Sequence, residues 1–211
     1  MNLFSNDKEL AMAELIRQAH DVATETCEPG RKMIWGHGSL DTPLVIVGEA
    51  PGDYEEREGR PFVGPAGWLL DSELAGVGIS RKSLYVTNVV KCRPIRTVDN
   101  RISNRAPKVA EGRAWLPVLI EELEIIDPSI IVCMGGIAAK WLISKDFAIT
   151  NERGEWQKGP LGIPTLATFH PAYILRLTGS MKDRVLVAFR QDLDKARSHL
   201  EEQGEFARIA A

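Results

Sequence analysis

The sequence predicts an α/β fold, a three-layer α/β/α sandwich around a central, mainly parallel sheet of four strands. Three observations predict it. Short unbroken β-branched or apolar runs recur at Leu44-Val45-Ile46-Val47, Leu84-Tyr85-Val86-Thr87, Ile130-Ile131-Val132-Cys133-Met134 and Thr165-Leu166-Ala167-Thr168. Such runs mark strands buried on both faces, as in a parallel sheet. Helical patterns lie between them, at 65–75, 106–125 and 136–144, and strand–helix alternation is the signature of a parallel sheet with crossover helices. The length of 211 residues, 44% hydrophobic and 26% charged, suits one domain spanning 1–211 with an ample core.

The elements follow in order. Residues 8–23 place Leu10, Ala13, Ile16, Ala19 and Ala23 at helical spacing, a leading amphipathic helix. The first strand ends at Gly48 and the second at Asn88. Pro117 interrupts the 106–125 pattern, so a kink or two consecutive helices are expected there. A last helix over 181–201 aligns Val185, Phe189, Leu193, Ala196 and Leu200 on one face. No apolar run approaches the ~20 residues that span a bilayer, and the N-terminal residues carry no secretory pattern. Three cysteines are too few for a disulfide framework, which points to a reducing cytoplasm. A monomer is expected.

The net charge of −3 gives no global sign of nucleic-acid binding, but the charges are unevenly distributed. Within 91–113, Lys91, Arg93, Arg96, Arg101, Arg105, Lys108 and Arg113 face only Asp99 and Glu111. A solvated loop accounts for this on charge alone. Its place after a strand's carboxyl end, where ligands bind in open α/β sheets, favours contact with phosphate.

Three clusters at strand ends carry chemistry. Gly48-Glu49-Ala50-Pro51-Gly52, then Glu55 and Pro61-Phe62-Val63-Gly64, combine a tight turn, two carboxylates and an aromatic face suited to stacking on a planar ligand. Asn88 offers one acceptor and one NH₂ donor, the complement of the N3–H and O4 edge of uracil and not of cytosine; an Asx turn is the competing explanation. His170, followed by Pro171-Ala172-Tyr173-Ile174-Leu175-Arg176, stands where an imidazole donor would meet charge developing on a leaving group. A lone histidine is more often structural, but His170 is the one histidine of four at a strand's carboxyl end.

Taken together, Gly48–Glu55, Gly59–Gly67, Tyr85–Pro94, Ile130–Gly135 and His170–Arg176 resemble the uracil-DNA glycosylase superfamily, most of all its iron–sulfur branch, often called family 4. The resemblance runs from about Cys27 to Arg176. It implies an enzyme that extrudes uracil from DNA and hydrolyses its N-glycosidic bond. By that resemblance Phe62 stacks on the base and Asn88 reads its edge. Gly48, Ala50 and Gly52 supply the backbone of the uracil site, and His170 supports the leaving base. Glu49 and Glu55 divide the orientation of water, the facing of the sugar and the lining of the base pocket. Glu55 is favoured for the lining. Lys91, Arg93, Arg96, Arg101 and Arg105, with Pro171, Ala172, Tyr173 and Arg176, are expected against DNA, the last four in a segment that wedges into the duplex.

The chain departs from the family's four cluster cysteines. Cys27 and Cys92 match two of them, while Thr24 and Gly112 stand at the others. Two thiolates do not hold a [4Fe–4S] cluster, so none is expected, and Cys133 reads as core. Self-trapping on DNA, a property of a related branch with a histidine in this region, is not expected, since 91–113 contain none. Three rivals are weaker. A non-catalytic DNA-binding module would need neither the carboxylates nor His170. A nucleotide-dependent oxidoreductase would need more than Gly135-Gly136. A glycosylase for hypoxanthine or xanthine would not need Asn88 to match uracil.

Overall fold

The computed structural model describes residues 3–99 and 101–210, with the side chains of 3–6 left aside. In chain order it contains α1 (Leu3–Thr26), β1 (His37–Gly38), β2 (Leu44–Gly48), α2 (Asp53–Glu58), α3 (Pro65–Gly76), β3 (Tyr85–Asn88), β4 (Ile95–Val98), β5 (Arg101–Asn104) and α4 (Val109–Ile126). There follow β6 (Ile130–Met134), α5 (Gly136–Leu142), α6 (Ile149–Glu152), β7 (Trp156–Lys158), β8 (Pro164–Thr168), α7 (Pro171–Leu175) and α8 (Gly179–Glu202).

The central sheet has the order β1-β3-β2-β6-β8-β7. Its heart is the expected set of four parallel strands, β3-β2-β6-β8. Two short antiparallel strands, β1 on β3 and β7 on β8, extend it to six. These edge strands are too short to leave a periodic signal in the sequence. The central strands are buried on both sides. Val45, Val47, Ile131 and Cys133 point into the core shared with α1, α4 and α5. Leu44, Ile46, Ile130 and Val132 point into the opposite core, built with α3, α7 and α8. Strand pleating alternates the side chains, and both faces find apolar cover, so no polar alternation survives.

Three details differ from the sequence reading. In α1 the buried stripe is Met12, Leu15 and Ala19, with Ile16, Val22 and Ala23 beside it, while Leu10 is exposed. Helix α4 runs as one element through Pro117, which lies on its solvent face, where the missing N–H and the bulky ring disturb no packing. The last helix holds all five expected residues in the core. The segment expected as a basic loop contains a two-stranded hairpin, β4 on β5.

Candidate active site

At the carboxyl rim of the sheet lies a cavity of about 470 Å³, bordered by Glu49, Glu55, Phe62, Asn88, His170 and Arg176 among others. Strand register accounts for the first pairing: Gly48 and Asn88 stand opposite each other at the last rung between β2 and β3. The backbone continues the link past the rung, as Val89 N–H donates to the Gly48 carbonyl (2.9 Å) and Val90 N–H to that of Glu49 (3.1 Å). Gly48 itself does not border the cavity; it lies buried behind it. A methyl group on Gly48 would collide with the Asn88 Oδ1 and come within 2.6 Å of the Phe62 ring. The glycine is therefore required for Phe62 and Asn88 to meet. Its expected backbone contact with a base is replaced by this packing role.

Phe62 is 4% exposed and held at φ 52°, a left-handed conformation that a bulky residue adopts only when its surroundings impose it. Its ring stacks on His170 with centroids 5.7 Å apart and planes 25° from parallel. His170 caps α7: its Nδ1 accepts the Ala172 N–H at 3.1 Å. An atom that accepts from a backbone N–H carries no proton, so the neutral ring bears its hydrogen on Nε2. Burial and the Arg176 charge push the imidazole pKa down to about 4. Asn88 is 3% exposed, and its amide reaches no hydrogen-bond partner among the described residues, only the cavity. Its donor and acceptor open on the hollow uncommitted, as an amide that reads a ligand must.

The two carboxylates differ. Glu55 sits in the first turn of α2, where its Oε2 accepts the Gly52 N–H at 3.0 Å, capping the helix. Burial raises its pKa, against the pull of that bond and of Arg93. Glu49 has no such bond. Burial pushes it up to about 7, and Arg176 draws it partway back. Ala50 and Gly52 border the cavity as expected.

The basic stretch is corrected in part. Lys91 has no exposed surface and is paired with Glu122 at 2.6 Å. Arg93 is buried and bonds to Asp53 (2.7 Å) and Glu56 (3.2 Å). Neither faces phosphate, because each satisfies an interior acid. Arg105 borders the cavity but forks onto Glu111 (2.5 and 2.7 Å) with Glu28 beyond. Arg96 and Arg101 stand exposed on the hairpin. In the His170–Arg176 segment, Pro171 is buried, whereas Tyr173 and Arg176 are exposed and, with the half-buried Ala172, border the cavity. Sequence reasoning missed Asn104, which borders the cavity while accepting from Arg93 Nε at 2.8 Å. The paired hairpin strands that deliver it carry little periodicity.

The cluster positions do not fit an iron–sulfur group. Cys27 and Cys92 are joined in a disulfide, with Cα atoms 5.6 Å apart, which overturns the reading of three cysteines as too few for a disulfide and as a sign of a reducing cytoplasm. The Thr24 hydroxyl donates to the His20 carbonyl of its own helix at 2.8 Å. A Cβ on Gly112, the position that the resemblance gives to the fourth cysteine, would run into the Trp141 indole. No group of three or more metal-binding side chains occurs among the described residues. Nor is any helix among them long and apolar enough to cross a membrane.

Comparison with known proteins identifies the family. The uracil DNA glycosylase superfamily model matches residues 35–194. A type-4 uracil-DNA glycosylase of Thermotoga maritima is 40% identical over 176 residues, covering 82% of this chain and 85% of the relative. One of Pyrobaculum aerophilum is 36% identical over 170 residues, covering 76% and 83%. A type-5 uracil-DNA glycosylase of the same organism is 28% identical over 169 residues, covering 70% and 71%. The chain belongs to the uracil DNA glycosylase superfamily.

Proposed function

We propose that this chain is a uracil-DNA glycosylase that flips uracil out of DNA and hydrolyses its N-glycosidic bond, leaving an abasic site. The observation that carries the reading is the convergence of Phe62, Asn88, His170 and Glu49 on one cavity, three of them with polar atoms left free. In this reading the flipped base lies against the Phe62 ring. Asn88 Oδ1 accepts from uracil N3–H while Nδ2 donates to O4, so cytosine meets two like groups. As the bond from C1′ to N1 breaks, electron density moves onto the base, and His170 Nε2–H donates to O2. A neutral imidazole suits this task, since it stabilises the anion without itself needing to ionise. Glu49, ionised, faces the positive sugar and orients the water whose oxygen bonds to C1′. The water's proton leaves through the carboxylate, and the uracil anion is reprotonated on release. Glu49 is assigned this work because Glu55 is engaged with the Gly52 N–H; Glu55 then lines the cavity, as the sequence favoured.

Arg96 and Arg101 on the hairpin, Tyr173 in α7 and Arg176 at its end are the groups proposed to touch DNA. The protein is proposed to act as a monomeric, single-domain enzyme without the family's iron–sulfur cluster; the Cys27–Cys92 disulfide removes the cysteine argument for a reducing cytoplasm. The disulfide, joining the end of α1 to the segment after β3, takes over the bracing there. The test is cleavage of oligonucleotides carrying uracil, thymine, hypoxanthine or xanthine, with alkali to reveal abasic sites. Alkali-labile breaks at uracil are expected. Breaks at hypoxanthine alone would transfer the activity to another base.

A further inference from the structure

Lys91 uses all three of its protons inside the protein. Its Nζ donates to Thr87 Oγ1 at 2.6 Å, to Glu122 Oε2 at 2.6 Å and to the backbone carbonyl of Asn88 at 2.8 Å. Glu122, reaching in from α4, accepts the Tyr85 hydroxyl on its other oxygen at 2.8 Å. Thr87 Oγ1 lies within 3.1 and 3.2 Å of the two carboxylate oxygens. Both charged side chains are 0% exposed, and the Trp35 ring closes the site 5.2 Å from Nζ.

Stability does not account for such a pair. Sealed ion pairs cost desolvation that their attraction roughly repays, and apolar pairs of similar volume do as well or better. What the pair does locally is specific. Asn88 is the last residue of β3, and its carbonyl points inward beyond the end of the parallel ladder. Lys91 is the donor that holds it. The peptide plane after Asn88 is thus held from both ends, by Val89 N–H on the Gly48 carbonyl and by Lys91 on the Asn88 carbonyl, and Lys91 supplies the side-chain half of the hold that sets the direction in which the Asn88 side chain leaves the backbone. We infer that Lys91, anchored by Glu122, is a positioning residue for base recognition, aiming the Asn88 amide through its backbone carbonyl. The inference rests on the reading of Asn88 as the group that pairs with the base.

The test is a mutant cycle between the pair and Asn88. Lys91→Met with Glu122→Gln removes both charges, keeps the side-chain volumes and leaves an amide for Tyr85 and Thr87. Single-turnover excision of uracil is expected to fall about 10-fold, the scale set by small misplacement of a reacting group. Inhibition by free uracil should weaken by a similar factor, while affinity for an abasic-site duplex stays within about 2-fold. Asn88→Ala alone should lose about 100-fold, and adding the pair to it should cost nothing more. Should the double variant fail to fold, Glu122→Gln alone serves, with an intermediate loss and the same non-additivity. A pair effect that persists undiminished beside Asn88→Ala overturns the positioning role and spares the reading of Asn88. No effect of the pair in either background overturns it as well. A near-normal Asn88→Ala enzyme overturns the reading and the inference together.

Discussion

At the cavity, Asn88 and Glu49 keep polar atoms without partners among the described residues, where His170 engages only Nδ1. In the segment that follows β3, Lys91, Arg93 and Arg105 spend theirs on Glu122, Asp53, Glu56 and Glu111. The two regions adjoin and are both rich in groups of the kind that bind nucleic acid. They differ in what remains unpaired once the chain has folded. A buried cation with an interior acid is structure, and a buried amide facing a hollow is a binding group. The contrast can be broken experimentally at several points.

The largest effect is expected at the unpaired groups. Asn88→Ala and His170→Ala should each lower uracil excision by about 10²–10³-fold, the range for removing one donor at a developing negative charge. Affinity for abasic-site DNA should change little. Parallel losses in chemistry and affinity would place both residues on the DNA path instead of against the base.

A somewhat smaller effect sharpens the electrostatics of Glu49. With its pKa near 7 and the ionised form required, kcat/KM should fall as pH drops below about 7. His170, neutral above about 4, should contribute no limb between pH 5 and 9. Because Arg176 is the group that draws the Glu49 pKa down, Arg176→Ala should move the acid limb to higher pH. Stability carries the same sign. The folded state holds the Glu49 proton more tightly than an ordinary carboxylate of 4.5, so stability present below 4.5 is lost as pH rises through about 7. Glu49→Gln should therefore melt a few degrees higher than wild type at pH 8 and alike at pH 4. Equal melting at both would mean that Glu49 is not desolvated.

How much of this is legible in the sequence depends on whether the signal is local. The four central strands can be read because burial on both faces demands uninterrupted apolar runs, and Asn88 and His170 because they end such runs. The edge strands and the β4–β5 hairpin cannot, being short and half-solvated. Gly48 reads as a base contact because sequence does not tell a glycine that meets a ligand from one that lets two side chains meet. Lys91 and Arg93 read as DNA contacts for a different reason. Their acids lie 31 and 40 or 37 residues away, on α4 and α2, and only the folded chain joins them.

The salt dependence of DNA binding separates exposed from buried cations. Arg96→Ala with Arg101→Ala should reduce the slope of log K against log salt by up to about 2, near one for each phosphate no longer neutralised. Arg93→Met should leave the slope unchanged, whatever it does to folding. A flattened slope for Arg93→Met, with none for the hairpin pair, would reverse the assignment.

The smallest effect on catalysis is expected at the Cys27–Cys92 disulfide, away from the cavity. The disulfide closes a loop of 65 residues, and cross-links of that kind contribute typically 2–4 kcal/mol by restricting the unfolded chain. Cys27→Ser with Cys92→Ser should accordingly lower the melting temperature by about 4–16 °C. Excision at 25 °C should stay within about 3-fold of wild type, because neither cysteine borders the cavity and the Asn88 carbonyl is held independently by Lys91. The same reasoning fixes the response to reagents. Iron chelators should leave excision untouched, and a dithiol, which exchanges its own sulfurs into the bond and releases both cysteines as thiols, should reproduce the loss of stability without the loss of rate. Purified protein carrying stoichiometric iron and sulfide would require Trp141 to vacate the space beside Gly112, and would show that these loops close around a cluster after all.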